Sequence, residues 1–218
     1  MSKQKLRIDL VSDVSCPWCF LTYKRLELAI EAVAESAEVE VHWHPFELNL
    51  DLHQDGVLLQ EFLQKRNGLS PEQSLAQQQS LVQLGQEVGI EFNFEPEMRI
   101  YNTRQAHKLI QWAQGEKQTE LQLALFNAYF CAAKAIDQQE VLLGCVESIG
   151  LDSEQAQAVL SSDEWDQTVQ DSEVYWLSLG VHAVPAIVVN QLHLISGAQP
   201  VDILVDALRD IAAEMDGV

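Results

Sequence analysis

The chain has 218 residues, of which 47% are hydrophobic, enough for one well-packed core or for one domain that carries a large insertion. Its 33 acidic and 13 basic residues give a formal net charge of −20, which repels phosphate backbones and anionic lipid surfaces. The composition therefore argues against nucleic acid and membranes as partners, and solubility is the simplest explanation of the acidity.

The N-terminal residues contain no apolar run as long as a signal-peptide core, because Asp9 and Asp13 interrupt it. No stretch is long and apolar enough to cross a bilayer, so we expect a cytoplasmic protein. Thiols in the cytosol are normally kept reduced, and a structural disulfide is not expected there. The cysteines of the chain are Cys16, Cys19, Cys131 and Cys145.

The first 50 residues predict a β–α–β unit. Residues 5–12, KLRIDLVS, alternate between apolar and polar side chains with the period of a strand. Residues 20–35 place apolar side chains at helical spacing, and Pro17 suits the first turn of this helix because its missing N–H costs nothing there. A second strand is predicted at 39–48, where valine and tryptophan alternate with polar residues.

A long stretch, 57–179, predicts almost only helices. Pro71 opens one of them and Ser70 can cap it, while Asn102 or Thr103 can cap a later one. Further helices are predicted over 118–134, 138–149, 153–161 and 164–179.

Strand character returns near the C-terminus. PAIVVN, 185–190, and QLHLIS, 191–196, predict a hairpin that turns near Asn190 and Gln191. A final helix is predicted at 200–214. Because neither strand pair alone makes a stable sheet, one domain with a helical insertion fits this order better than two domains in series.

Cys16 and Cys19 stand at the junction between the first strand and the first helix, in the sequence CPWC. The first N–H groups of a helix are unpaired and carry partial positive charge, and both effects favour the reactive thiolate. The second thiol follows about one helical turn later, where it can attack a mixed disulfide formed on the first. We therefore predict that Cys16 is the nucleophile and Cys19 the resolving thiol, with Pro17 and Trp18 helping to set the redox potential.

Zinc binding is a rival interpretation of the cysteine pair. Zinc would need two more ligands, and the nearest candidates, His42 and His44, lack the usual spacing of histidine ligands. Cys131 and Cys145 have no short-spaced pattern either, and small buried residues are their simplest interpretation. We expect no metal site, and an inert buried cysteine pair is a third interpretation.

A second signal is the sequence VHAVPAIVV, 181–189. A proline at the start of a strand can take the cis form, which is rare and usually serves a purpose. The local sequence by itself nevertheless favours an ordinary trans proline after Val184.

Taken together, SDVSCPWC, the helical insertion, GVHAVPAIVV and ISGAQP resemble the DsbA-like thioredoxin-fold oxidoreductases, and within them the FrnE-like cytoplasmic branch. The resemblance covers nearly the whole chain. It implies an α/β thioredoxin-like fold with a large all-helical insertion. The thioredoxin-like domain would comprise residues 1–52 and 180–218, and the insertion residues 53–179.

The resemblance also implies roles for individual residues. Pro185 would be cis and would lie beside Cys16, with Val184 offering its backbone to a bound peptide or thiol substrate. In the stretch NTRQAH, Asn102 and Arg104 are candidates to face the substrate cleft, although a helix cap and a surface charge explain them more simply. Three histidines are further candidates to lie near the cleft: His42, His44 and His107. Packing or surface roles are simpler explanations of these residues.

The implied function is thiol–disulfide oxidoreductase activity, as a reductase, oxidase or isomerase acting on a disulfide or thiol substrate. The dithiol itself would carry the chemistry without a cofactor. The same fold houses kappa-class glutathione transferases and 2-hydroxychromene-2-carboxylate isomerases, which generally have serine at the position of Cys16. A glutathione-dependent enzyme of that kind is the alternative, and glutathione is a candidate co-substrate. Redox direction and oligomeric state stay open at this point.

Overall fold

The computed structural model describes residues 3–52 and 55–216. The predicted domain boundary at residue 53 and the predicted domain ends at 1 and 218 lie outside these ranges. The elements, in chain order, are β1 (Gln4–Ser12), α1 (Pro17–Val33), β2 (Ala37–Pro45), β3 (Val57–Leu58), α2 (Leu59–Asn67), α3 (Pro71–Gln86), β4 (Arg99–Ile100), α4 (Arg104–Trp112), α5 (Glu116–Phe126), a π-helical turn (Asn127–Cys131), α6 (Gln139–Ser148), α7 (Ser153–Leu160), α8 (Asp163–Ser178), β5 (Ala186–Val189), β6 (His193–Ser196) and α9 (Val201–Asp216).

The larger sheet of the described structure has four strands in the order β2–β1–β5–β6. Strand β1 pairs in parallel with β2, with Ile8 opposite Val41, and antiparallel with β5, with Leu10 opposite Ile187. Strands β5 and β6 form an antiparallel hairpin. The sheet thus joins strands from both ends of the chain, and the helices between β2 and β5 form the insertion.

The core is built around β1 because helices cover the sheet. Helix α9 packs on α1 and β1, while α4, α5 and α8 pack against β2. The alternating apolar residues of β1, Leu6, Ile8 and Leu10, are at most 1% exposed. Burying such a side chain contributes about 1.5–3 kcal/mol. The strand predicted from period-2 alternation is confirmed. Within the described ranges, no helix has the length and apolar character needed to span a membrane.

The predicted helix starts are confirmed at two positions. Ser70 Oγ accepts a hydrogen bond from the Gln73 N–H at 3.3 Å, and Gln73 Oε1 accepts one from the Ser70 N–H at 2.9 Å, which makes a capping box. At the start of α4 the N-cap residue is Thr103, but Asn102 supplies the bond: its Oδ1 accepts the Arg104 N–H at 3.0 Å.

The C-terminal hairpin turns where the sequence predicts. Asn190 and Gln191 have φ angles of 51° and 59°, and the Leu192 N–H donates to the Val189 carbonyl oxygen at 3.1 Å. Positive φ at both central residues is the geometry of a two-residue type I′ turn, whose twist matches that of paired strands.

The insertion is helical, as expected, with one correction. Strands β3 and β4 form a short antiparallel pair in which Val57 lies opposite Ile100. Helical periodicity does not reveal this pair because its partners are far apart in the chain. The close approach depends on Gly56, which has a φ of 60° and whose added Cβ would lie 2.5 Å from the Ile100 carbonyl oxygen.

Candidate active site

The cysteine pair lies at the N-terminus of α1. Cys16 is the N-cap residue, with extended backbone angles, and Pro17 occupies the first turn of the helix. Cys16 is 5% exposed and Cys19 is fully buried, whereas Trp18 between them is 41% exposed. Attack from outside is therefore open only to Cys16, and Cys19 reaches no partner except through it.

The environment of Cys19 keeps its thiol protonated. Burial is the main cause that raises the pKa of the Cys19 thiol well above its usual value, and a hydrogen bond and charge repulsion from Cys16 raise it further. Hydrogen bonds with the backbone of Asp13 and with the side chain of Ser12 lower the pKa of Cys19, but they do not cancel the increase. A thiol that stays protonated in this way is expected of the cysteine that acts second.

The Val184–Pro185 peptide bond is cis, which confirms the geometry that the resemblance implied. Pro185 is buried and directly precedes β5, whose first residue, Ala186, pairs with Val11 near the end of β1. Because the chain runs from the end of β1 straight into Cys16, the sheet register brings the Val184–Pro185 segment to this end of the sheet. Val184 and Cys16 line the same cavity.

This cavity, called here the Cys16 cavity, has a volume of about 360 Å³. One end is formed by Ser15, Cys16, Pro17 and Trp18, one side by Val184, and the remaining walls largely by the insertion, including helices α2 and α3. A larger cavity of about 730 Å³ adjoins it and shares residues of α2 with it, but neither cysteine lines this larger space. The Cys16 cavity is therefore the one in which chemistry at the dithiol would occur.

A buried carboxylate holds the turn that carries Cys16. Asp13 is fully buried, and its side chain accepts the N–H groups of Ser15 at 2.9 Å and Leu48 at 2.6 Å. His107 Nε2, from α4, lies 3.8 Å from Asp13 Oδ1. Burial alone would raise the pKa of Asp13, but His107 and the two N–H donors outweigh it and lower the pKa. Asp13 thus ties the approach to Cys16 to the loop after β2 and to the insertion.

A second buried carboxylate, Glu47, lies beside this cluster. Burial is the main cause that raises its pKa to about 7, and the charges of Glu173 and Asp13 add to the shift against the opposing effect of His107 and Arg104. Arg104 Nε lies 2.6 Å from Glu47 Oε1, and the Glu47 N–H donates to Glu173 Oε1 at 2.7 Å. Glu47 therefore changes charge near neutral pH, within a network connected to the Cys16 turn.

Asn102 and Arg104 are the two further candidates for residues that face the cleft. Neither lines the Cys16 cavity; both line a separate cavity of about 310 Å³, together with Glu47. The start of α4 packs against the loop after β2 and against α8, so Asn102 caps the helix and Arg104 pairs with Glu47 and Glu173. Asn102 accepts the capping hydrogen bond that the simpler interpretation predicted, whereas Arg104 is a partly buried ion-pair partner and not a free surface charge.

The histidines named from the sequence also lie outside the Cys16 cavity. His44 Nε2 lies 2.8 Å from Asp9 Oδ1 and His42 Nε2 3.1 Å from Glu40 Oε1, while His107 faces Asp13 behind the dithiol. The described ranges contain no group of three or more His, Cys, Asp or Glu side chains arranged to hold a metal ion.

The two remaining cysteines are unpaired and belong to the insertion. Burial raises the pKa of both the Cys131 and the Cys145 thiols. Cys145 is 7% exposed, and its Sγ lies 3.7 Å from the Ala124 carbonyl oxygen. These features fit the small buried residue that the sequence suggested for Cys145, while Cys131 is only half-buried.

Several residues around the dithiol were missed by the sequence analysis. Asp13 carried a signal, because it is a polar residue directly between a buried strand and the CPWC sequence. No sequence signal marked Ser15, Ser74 or Arg66. Neither their spacing nor their neighbours distinguish them from ordinary residues of turns and helix surfaces. Their importance arises only from the cavity that they share.

Residues 7–209 match the DSBA-like thioredoxin domain family, and the chain belongs to this family. It is therefore a member of a family of thiol–disulfide oxidoreductases and isomerases. The fold agrees with this membership, since a mixed sheet built from both chain ends is interrupted by a helical insertion.

Among solved structures, a probable DsbA oxidoreductase from Streptomyces coelicolor is 28% identical, with a TM-score of 0.87, covering 94% of this chain and 89% of that one. A 2-hydroxychromene-2-carboxylate isomerase has a TM-score of 0.71 at 15% identity, covering 97% and 98%. The cytosolic disulfide reductase DsbM from Pseudomonas aeruginosa, solved with glutathione, has a TM-score of 0.63 at 15% identity, covering 94% and 98%. The last two similarities concern the fold alone.

Proposed function

We propose that this chain catalyses thiol–disulfide exchange through its CPWC dithiol, with Cys16 as the nucleophile and Cys19 as the resolving thiol. The observation that carries the proposal is the asymmetry of the pair. Cys16 caps a helix at the end of a cavity, whereas Cys19 is sealed behind it with a raised pKa and a hydrogen bond to Cys16. An inert buried pair would not need one member at a cavity wall.

The reaction has two displacements. The Cys16 thiolate attacks one sulfur of the substrate disulfide, the S–S bond breaks, and the first thiolate leaves while a mixed disulfide forms on Cys16. Cys19 then loses its proton and attacks Cys16 Sγ, which releases the second thiolate and leaves a Cys16–Cys19 disulfide. The substrate gains two electrons, and the reverse sequence oxidises a dithiol.

Three neighbours shape this site in the proposal. Pro17 starts the helix at Cys16, and Trp18 covers the surface between the cysteines, so both tune the redox potential. Val184 offers its backbone to the bound substrate, and the buried Pro185 holds it at the end of the sheet. The location is proposed to be cytoplasmic, supported by the similarity in fold to a reductase named as cytosolic. The branch is proposed to be FrnE-like on the resemblance of SDVSCPWC, GVHAVPAIVV and ISGAQP.

The proposal is tested by reduction of insulin with added dithiothreitol. Cys16→Ser should abolish catalysis because a hydroxyl cannot form the mixed disulfide, whereas Cys19→Ser should accumulate as a covalent complex with its substrate. Cys131→Ser is the matched control, since it removes a half-buried thiol away from the Cys16 cavity and should leave the rate unchanged.

A glutathione-dependent isomerase or transferase is the second candidate, favoured by the similarity in fold to 2-hydroxychromene-2-carboxylate isomerase. In such an enzyme a serine at position 16 can orient the glutathione thiol by hydrogen bonding, and Cys19 has no task. A Cys16→Ser variant that keeps full activity would therefore reject the dithiol mechanism and promote this alternative.

A further inference from the structure

The Cys16 cavity has the size and lining of a small-molecule site. Its volume of about 360 Å³ lies within the range of ligand pockets in proteins. The walls are largely apolar and include Leu81, Phe94, Met98 and Phe130. A concave apolar space next to a nucleophile can enclose most of a small organic molecule, which an exposed groove for an extended polypeptide does not do.

Helix α2 forms one wall of the cavity. None of the residues of α2 is buried, although Leu59 packs against the core. The apolar side chains Leu59, Phe62 and Leu63 line the Cys16 cavity. The apolar face of α2 is therefore available to a molecule within the cavity.

Two buried serines, Ser15 and Ser74, form part of the wall of the same cavity. Ser15 is 6% exposed and Ser74 is 2% exposed, and both line the cavity. Neither Oγ atom has a hydrogen-bond partner among the described residues. Both Oγ atoms are themselves buried, so these hydroxyls are not open to a ligand in the cavity, and the two serines only form part of its wall. Ser15 also directly precedes the nucleophile.

One positive charge completes the cavity. Arg66 donates to the Leu48 carbonyl oxygen at 2.8 Å and to Asn49 Oδ1, and its guanidinium lies 5.6 Å from the centre of the Phe62 ring. Its bonds hold the guanidinium in place, and no described carboxylate lies within ion-pair distance of it. No described Asp or Glu lines the cavity, although the chain carries a net charge of −20. This end of the cavity therefore suits an anionic group.

We propose that the Cys16 cavity binds a small organic disulfide with an apolar body, of about the size of an aromatic ring, and a carboxylate. Arg66 contacts the carboxylate, and the apolar walls enclose the body of the ligand. The inference rests on the proposed function and adds the class of its substrate.

The reaction balances with a thiol reductant. Cys16 displaces one thiolate from the disulfide and Cys19 displaces the other, so two substrate thiolates are released and a Cys16–Cys19 disulfide forms. A dithiol, or two equivalents of a monothiol, returns this disulfide to the reduced state and is itself oxidised.

The test is a single-turnover experiment in which reduced protein, freed of reductant, is mixed with increasing concentrations of dithiobis(nitrobenzoate). This aromatic disulfide carries carboxylates and releases a coloured thiolate. Binding before exchange predicts an observed rate that saturates with concentration. A rate that rises linearly throughout, as for an unspecific thiol, would overturn the inference.

Two pairs of variants locate the binding. Leu63→Trp fills the cavity and should abolish saturation, whereas Leu75→Trp adds the same bulk at a position of α3 that is 52% exposed and should not. Arg66→Gln should raise the half-saturating concentration about tenfold. The same change should leave uncharged dithiodipyridine unaffected, and Lys65→Gln, the adjacent charge outside this cavity, should leave both probes unaffected.

The outcomes separate this inference from the proposed function. Loss of insulin reduction in Cys16→Ser, combined with equal saturation in Leu63→Trp and Leu75→Trp, would retain dithiol exchange and refute the cavity as the binding site. Saturation by oxidised glutathione without saturation by the aromatic probe would refute the apolar substrate class. Undiminished insulin reduction by Cys16→Ser would reject the proposed function itself.

Discussion

The charge of Glu47 should make the stability of this protein depend on pH in a direction opposite to that of an ordinary carboxylate. Its pKa in the folded protein is about 7, chiefly because of burial, and an unperturbed glutamate has a pKa of about 4.3. The folded state therefore holds a proton that the unfolded state has already lost across this interval. The stabilisation that the protonated Glu47 contributes is fully present below the pKa of this side chain in the unfolded chain. It is lost as the pH rises through about 7, the pKa of Glu47 in the folded protein.

The size of this effect follows from the shift. The separation of about 2.7 pKa units, from about 4.3 to about 7, corresponds to about 4 kcal/mol, and an allowance for solvent screening lowers this to about 2–3 kcal/mol. Glu47→Gln keeps the shape of the protonated side chain and cannot ionise. Its free energy of unfolding, relative to wild type, should therefore rise by about 2–3 kcal/mol between about pH 5 and about pH 8.

Urea unfolding of both proteins at these two pH values measures the difference directly. The charged and titratable groups that face Glu47 are Asp13, His107, Arg104 and Glu173. Their contributions to the pH dependence of stability are largely the same in both proteins and cancel to first order. Glu31→Gln, an exposed position on α1, is the control and should show no such change. A Glu47→Gln protein whose stability runs parallel to wild type across this range would refute the assignment of a raised pKa to Glu47.

Three further predictions follow from the site and its surroundings. Iodoacetamide should alkylate Cys16 well before Cys19, because Cys19 is fully buried and the pKa of its thiol is raised; equal labelling in mass-spectrometric mapping would count against this order. Asp13→Asn should lower the free energy of unfolding by about 2–4 kcal/mol near neutral pH. The two N–H groups bind different carboxylate oxygens, and the amide nitrogen that replaces one of these oxygens cannot accept a hydrogen bond. The lowered pKa of Asp13 also means that its stabilisation is present above about pH 4 and is lost as the pH falls further, so wild type and variant should converge in acid. Gly56→Ala should cost more than Gly68→Ala in thermal melts, because both have positive φ but only at Gly56 would the new Cβ collide with backbone. Equal melting temperatures for the two alanine variants would contradict this explanation.

The parts of the fold that were predicted correctly depend on neighbours in the chain. Alternation within residues 5–12 determines which side chains of β1 enter the core, and Ser70 with Gln73 forms its capping box within one helical turn. The turn at Asn190 and Gln191 is equally local. The CPWC spacing placed both cysteines at the start of α1, because a helix needs only a few residues to fix their relative positions.

The sequence by itself determined the four strands of the larger sheet, the helix carrying the dithiol and the family to which the chain belongs. Tertiary structure alone decided which distant residues surround that dithiol. Ser15 and Ser74 line one cavity because α3 packs against α1, and the start of α4 directs Arg104 towards Glu47 and away from the Cys16 cavity. Such contacts depend on how helices stack on a sheet whose strands come from both chain ends, and hydrophobic periodicity specifies only which face of an element is buried, without naming its partner.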